Sequence, residues 1–169
     1  RSGLARWLTD VEDGAGGLLA RVIVNRLWQH HFGTGLVKTS NNFGGVGDHP
    51  THPALLDWLA GELIREGWHL KPIHQLIMTS ATYLQSTRWD QKRHERDPGN
   101  NLIWRRKPQR LEAEILRDSI LAASGQLNTQ SFGPPVPVTK PVSGLSMVDA
   151  AGGTHARNRR SVYIFARRV

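Results

Sequence analysis

The chain has 169 residues, room for one domain or for one domain with a tail. With 38% hydrophobic residues, 21% charged residues, six Trp and a net charge of +8, its composition is globular and excludes a disordered chain. The lack of Cys excludes disulfides, thiolate metal sites and covalent haem attachment, and no apolar run reaches the length of a membrane span.

Residues 2–9 read as a short helical start with Leu4, Trp7 and Leu8 on one side. They do not resemble a signal peptide. Residues 10–17 (DVEDGAGG) form a turn-rich link. A strong helix is expected over 18–32, ended by Gly33 as its C-cap. Ile23, Val24, Leu27 and Trp28 cover one broad side of it, and Asn25, Arg26, Gln29 and His30 form a polar stripe. Residues 34–50 are a glycine-rich loop, long enough to suggest a function. It is no phosphate loop, because Gly44-Gly-Val-Gly47 lacks the terminal Lys-Ser/Thr.

Thr51 is expected to cap the next helix, which has Pro53 in its first turn and an apolar face of Leu55, Leu56, Leu59, Leu63 and Ile64. Gly67 ends it. Pro72 opens another helix, with Ile73, Leu76, Ile77 and Leu84 at helical spacing. Residues 88–106 are polar, with turn signals at Asp97-Pro-Gly-Asn, and read as a surface connection.

The stretch 109–125 (QRLEAEILRDSILAASG) is apolar on nearly every side of a helix, which predicts burial. Yet it carries Arg110, Glu112, Glu114, Arg117 and Asp118. Buried charges must be paired. The expectation is that Arg26 and Arg117 neutralise Glu114 and Asp118 between two core helices, with Arg110 in the same cluster. Residues 128–153 are rich in Gly, Pro, Ser and Thr and cannot be regular helix. Residues 161–166 (SVYIFA) read as a strand.

The charge is unevenly placed. Residues 1–87 balance, whereas 119–169 carry Lys140, Arg157, Arg159, Arg160, Arg167 and Arg168 against Asp149 alone. Such a tail suits a polyanion, whether glycan, lipid or nucleic acid. The run Trp104-Arg-Arg-Lys-Pro-Gln-Arg mixes an aromatic with basic residues and suits a glycan or RNA strand. No RNA-recognition or helix-turn-helix signature accompanies it, so nucleic acid is the weaker partner. His49 and His52 are the best-spaced metal candidates, but no third ligand follows and no metal is expected.

Several segments together resemble a known family. They are Ala20-Arg-Val-Ile-Val-Asn-Arg-Leu-Trp28, His31-Phe-Gly-Thr-Gly-Leu-Val37, His52-Pro-Ala-Leu-Leu-Asp-Trp-Leu-Ala60, Gly67-Trp-His-Leu-Lys71 and Ser80-Ala-Thr-Tyr83. Asp97-Pro-Gly-Asn-Asn101, Arg110-Leu-Glu-Ala-Glu-Ile-Leu-Arg-Asp118, Ser124-Gly125 and Arg160-Ser-Val-Tyr163 continue the series. The chain is similar to the planctomycete-type domain of unknown function fifteen-fifty-three. That resemblance implies an exported bacterial protein, periplasmic or at the cell surface. It also implies a cytochrome-c-like haem domain elsewhere in the parent, with no cofactor in this chain, and other parent domains as partners. It implies a chain that continues beyond residue 169, and it carries over no catalytic residues. One departure is Ala54, where a Glu would complete a capping box with Thr51.

The expected fold is mainly α: an irregular helical domain of four to five helices over 1–127, a Pro/Gly-rich basic segment over 128–160, and the start of a truncated C-terminal strand over 161–169. The leading function is an accessory domain of a cytochrome-associated protein that engages anionic polysaccharide. The first alternative is a carbohydrate-active enzyme using Arg26, His30, Glu114, Arg117 and Asp118, with Glu114, Asp118 and His30 as acid/base candidates. The second is nucleic-acid binding through the basic tail.

Overall fold

A computed structural model describes residues 2–139, 147–149 and 153–165. It is mainly helical. The described residues form α1 (Ser2–Thr9), α2 (Gly16–Phe32), α3 (Pro53–Arg65), α4 (Leu70–Met78), α5 (Gln91–Arg96), α6 (Ala113–Ala123) and α7 (Gly153–Arg157). This exceeds the four or five helices expected, partly because α5 and α7 are only six and five residues long. The chain divides into two compact units, Arg1–Gln109 and Arg110–Val169. The charged helix therefore opens the second unit.

The core of the first unit follows from three apolar stripes. α2 buries Ala20, Val24 and Trp28 at successive turns, α3 buries Leu56, Leu59, Ala60 and Leu63, and α4 buries Ile73 and Ile77. Leu36 and Val37, from the loop after α2, complete the cluster. Gly33 ends α2 with φ 83° and donates its N–H to Gln29 O, the left-handed cap that glycine accepts without strain. α3 starts with Pro53, but His52 occupies the N-cap and no side chain caps the helix. Thr51, expected there, instead directs its hydroxyl to Leu36 O at 3.3 Å and so ties the preceding loop. Leu84, expected on the α4 face, lies beyond the helix and is exposed.

The polar stripe of α2 has a use that periodicity did not reveal. Asn25 is fully buried; its Nδ2 donates to Val37 O at 3.0 Å, and its Oδ1 accepts the Val37 N–H at 2.8 Å. Ser40 donates to Gln29 Oε1 at 2.7 Å, and Arg26 donates to Asn41 Oδ1 at 3.3 Å. Three side chains thus fasten the loop Val37–Asn41 along one helix. Arg26 is exposed, because it sits about 200° around the helix from Val24, opposite the apolar stripe. Its expected place in a buried clasp is corrected by that geometry.

In the second unit, the expectation of a buried charged helix is also corrected. No residue of α6 is buried, and Leu111, Ile115, Leu116 and Ile120 are about half exposed or more. The Pro/Gly-rich segment 128–160 contains a small antiparallel pair, β1 (Val138–Thr139) and β2 (Met147–Val148), with Val138 opposite Val148. The C-terminal strand is corrected as well: Ser161–Tyr163 is a 3-10 turn, and among the described residues of 161–166 only Ile164 bridges, in parallel, to Val136. Lys140, Ala166, Arg167 and Arg168 lie outside the described residues.

Candidate functional site

The segment 97–107 of the first unit is an irregular loop built on one carboxylate. Asp97 is buried, and its oxygens accept the N–H groups of Asn101 at 2.9 Å and Leu102 at 2.7 Å. Its backbone carbonyl accepts the indole N–H of Trp104 at 3.1 Å. Burial alone raises the Asp97 pKa; the N–H groups of Leu102 and Asn101 and the charge of Lys107 outweigh it and hold the group below its ordinary value. A second brace is Asn100, whose amide donates to Arg105 O at 2.9 Å and accepts the Arg105 N–H at 3.3 Å.

These braces hold two non-glycine residues in the left-handed region, Asn100 at φ 56° and Ile103 at φ 53°. Asn adopts this conformation readily, but a β-branched residue does so at a cost of order 1–3 kcal/mol. Strain of that kind persists where neighbours over-determine the backbone, and it is concentrated at functional sites.

Ile103 borders two clefts. One, of about 270 Å³, has an apolar base of Trp28, Phe32 and Ile103. Lys38, Arg105 and Lys107 supply its charge. The Trp28 and Phe32 rings stack at 4.2 Å, which fixes that base. The other, wider cleft of about 850 Å³ is lined by Arg88, Trp89, Asp90, Arg93, Ile103 and Trp104, among others. Trp89 is half exposed there and touches His94 and Trp104 with ring centroids 4.2 and 6.0 Å away. The Arg105 guanidinium lies 4.8 Å from the Trp89 centroid and 5.3 Å from that of Trp104. Asp90, the one carboxylate lining this cleft, uses Oδ1 to cap α5 through the Arg93 N–H at 2.9 Å.

Beside these clefts, His31 Nε2 and His74 Nδ1 share a hydrogen bond of 2.9 Å. The His31 pKa is lowered by burial first, then by His74, Arg106 and His30. Arg106 stacks over Tyr83 at 3.7 Å, and Tyr83 meets the His31 ring edge-on at 5.5 Å.

The residues singled out from sequence are distributed as follows. His30 is exposed on α2 and His49 is exposed in its loop, whereas His52 Nδ1 is bonded to Thr51 Oγ1 at 3.0 Å. Among the described residues, no group of three or more His, Cys, Asp or Glu is arranged to hold a metal ion.

In the second unit, Arg110 and Glu114 are exposed. Asp118 accepts the Ser161 hydroxyl at 2.6 Å and the Ser161 N–H at 2.9 Å, and Arg117 lies 3.3 Å away. Arg117 also donates to the carbonyls of Arg157 and Arg159. Within the second unit the partner of Asp118, beside Arg117, is Ser161, brought by the chain turn at 161. Of the basic tail, Arg159 is buried and committed to the carbonyls of Pro134 and Phe132, with its guanidinium over Tyr163 at 4.1 Å.

The polar composition of 88–106 suits a surface connection and does not mark Trp89, Asp97 and Asn100 as site-builders. The usable signal was Asp97-Pro-Gly-Asn-Asn101 directly before Trp104-Arg-Arg-Lys107: turn formers that fold an aromatic and basic run back on itself.

No helix among the described residues is long and apolar enough to cross a membrane. Neither a curated protein nor a solved structure matches the chain. A family model does match, over residues 1–169, and the chain therefore belongs to the PSD1 family, described as Protein of unknown function (DUF1553).

Proposed function

We propose that this chain is a non-catalytic accessory domain that holds anionic polysaccharide for a larger exported, cytochrome-associated bacterial protein. The observation that carries the reading is the open cleft around Trp89. A half-exposed indole, steadied by Arg105 and His94, stands beside Arg88 and Arg93. An indole offers a flat apolar surface to the C–H face of a sugar ring. Guanidinium groups take sulfate or carboxylate oxygens in paired hydrogen bonds. Asp90 is turned to the α5 cap, and the two arginines outnumber it, so the cleft keeps a positive surplus. The haem-protein association and the export rest on the family resemblance alone.

The cleft joins aromatic and cationic groups, whereas of the described tail cations Arg159 is consumed inside the second unit and Arg157 and Arg160 are exposed without an aromatic stacked on them. The acid/base alternative has a cleft of its own, about 700 Å³ and lined by Glu114, Arg117 and Asp118, but Asp118 is tied to Ser161 and Arg117, and His30 is not among the lining residues.

The test is retention of the purified chain on immobilised sulfated and uronate-rich polysaccharides against a neutral one. Retention on the charged polymers should weaken as salt rises, since screening shortens to about 8 Å at physiological ionic strength. Trp89→Ala and Arg93→Ala should each lower affinity about tenfold. Unchanged affinity in both variants, or full loss on removing residues 140–169, would sink the cleft reading.

A further inference from the structure

The smaller cleft behind Ile103 has a chemistry of its own. Three cationic side chains line it, Lys38, Arg105 and Lys107, and no carboxylate does. Lys107 donates to Gly99 O at 2.8 Å and also acts on the nearby Asp97 carboxylate, so part of its charge is spoken for. Lys38 is exposed and, among the described residues, forms no ion pair. Arg105 carries a buried Nε–H without an acceptor. Its guanidinium also stacks on Trp89 and Trp104, so it is shared with the wider cleft.

The rest of the wall is suited to a ring. Trp28, Phe32 and Ile103 give an apolar base, and Thr34, Thr51 and Asn101 add hydroxyl and amide groups. The volume of about 270 Å³ lies just below the usual range for ligand pockets, which begins at roughly 300 Å³, so the occupant is small. The wall is also held in place. The Lys38 backbone follows Val37, which Asn25 grips through both N–H and C=O, and the Arg105 backbone is gripped in the same way by Asn100.

We infer that this pocket binds a single acidic sugar unit, its oxyanion on Lys38, Arg105 and Lys107 and its ring on Trp28, Phe32 and Ile103. The inference rests on the polysaccharide reading for its choice of ring, and it adds a subsite that recognises one charged residue of the polymer. Carboxylate and sulfate share the required chemistry, so both sources are to be tested.

The experiment is calorimetric titration of the full chain with glucuronate, glucose 6-sulfate, glucose and inorganic sulfate. At least one acidic sugar should bind at least tenfold more tightly than glucose and than sulfate alone. A preference between glucuronate and glucose 6-sulfate names the anion. Lys38→Ala should weaken that binding several-fold while its thermal unfolding matches the parent, and Lys38→Arg should restore it. Equal binding of glucose, equal binding of inorganic sulfate, or indifference to Lys38→Ala would overturn the inference. Polymer retention without any monosaccharide binding removes the subsite and leaves the cleft reading intact. Monosaccharide binding without polymer retention does the reverse.

Discussion

The Asp97 carboxylate accepts the Leu102 N–H at 2.7 Å, and that bond draws the chain back so that Ile103 follows with φ 53°. One buried carboxylate thereby sets the wall shared by the two clefts. Asp97→Ala leaves the N–H groups of Asn101 and Leu102 without their acceptor, at a cost of roughly 1–3 kcal/mol. Urea unfolding measures the loss. The pH dependence has a definite sign. The folded pKa lies below the unfolded value near 3.8, so this stabilisation is complete above that pH and fades as pH falls through the folded pKa. Asp97→Ala should flatten that acid limb. An unchanged limb would mean that Asp97 is not the group responsible.

Ile103 supplies a sharper test of strain. At most positions Gly is less stable than Ala, because it loses more backbone entropy on folding. At φ 53° the order should invert, since only Gly reaches this region without a steric cost of roughly 1–2 kcal/mol. The two variants differ by a single methyl group in a half-buried side chain, so their difference reports chiefly on the backbone. Ile103→Gly should therefore unfold at higher denaturant than Ile103→Ala. The reverse order would show that the backbone is relaxed at this position.

The contrast between α2 and the 97–107 loop shows where sequence information ends. The Ala20, Val24 and Trp28 stripe and the Gly33 cap are local signals, readable from spacing and residue type. The partners of Asn25, Gln29 and Arg26 are not, because they sit on a loop whose course no periodicity specifies. The Asp97 turn was legible as a turn but not as a brace, since its acceptors and donors are fixed only once the loop closes. α6 misleads in the opposite direction. Its apolar circumference implies burial, but the described residues of the second unit cover only part of it. Ser161-Val-Tyr-Ile-Phe165 has strand composition, yet Asp118 takes the Ser161 N–H and hydroxyl and favours a turn.

Asn25 and Gly35 form a second test of wall geometry. A Cβ added at Gly35 would stand 2.6 Å from Val37 O and 2.7 Å from both polar atoms of the Asn25 amide. Gly35→Ala must displace backbone or the buried amide, and it should both destabilise the fold and weaken binding at the Lys38 pocket. Asn25→Asp replaces the donor facing Val37 O with an oxygen and brings a charge into a fully buried position. It should cost more than Asn25→Ala, which itself strands the Val37 N–H and C=O and costs roughly 1–3 kcal/mol. Chemical denaturation of the three variants gives the comparison. An Asn25→Asp chain as stable as the parent would refute the buried-bridge account.

In the second unit, Asp118 holds the start of the turn at Ser161 by taking both its hydroxyl and its N–H. Asp118→Ala should free the Ser161 N–H to exchange with solvent, together with that of Ile164, which donates to Ser161 O. Ser161→Ala keeps the backbone bond and loses only the hydroxyl, so its effect should be smaller. Hydrogen exchange followed by NMR separates the two. Equal protection in parent and Asp118→Ala would mean that the turn stands without the carboxylate.

The His31–His74 pair gives the last prediction. Two imidazoles joined at 2.9 Å need one donor and one acceptor, so at most one can be protonated without breaking the bond. Burial, His74, Arg106 and His30 all disfavour the charged form of His31 and lower its folded pKa beneath the ordinary 6.5. In the unfolded chain, His31 binds its proton near that ordinary value. Between the two pKa values the unfolded state therefore binds more protons, and stability falls as the solution is acidified. The loss should begin near pH 6.5, the ordinary value of the group, and level off below the folded pKa. His31→Gln can still hydrogen-bond to His74 but does not titrate. It should remove this step from the stability profile and leave the Asp97 limb in place, whereas a step that survives the substitution would belong to another histidine.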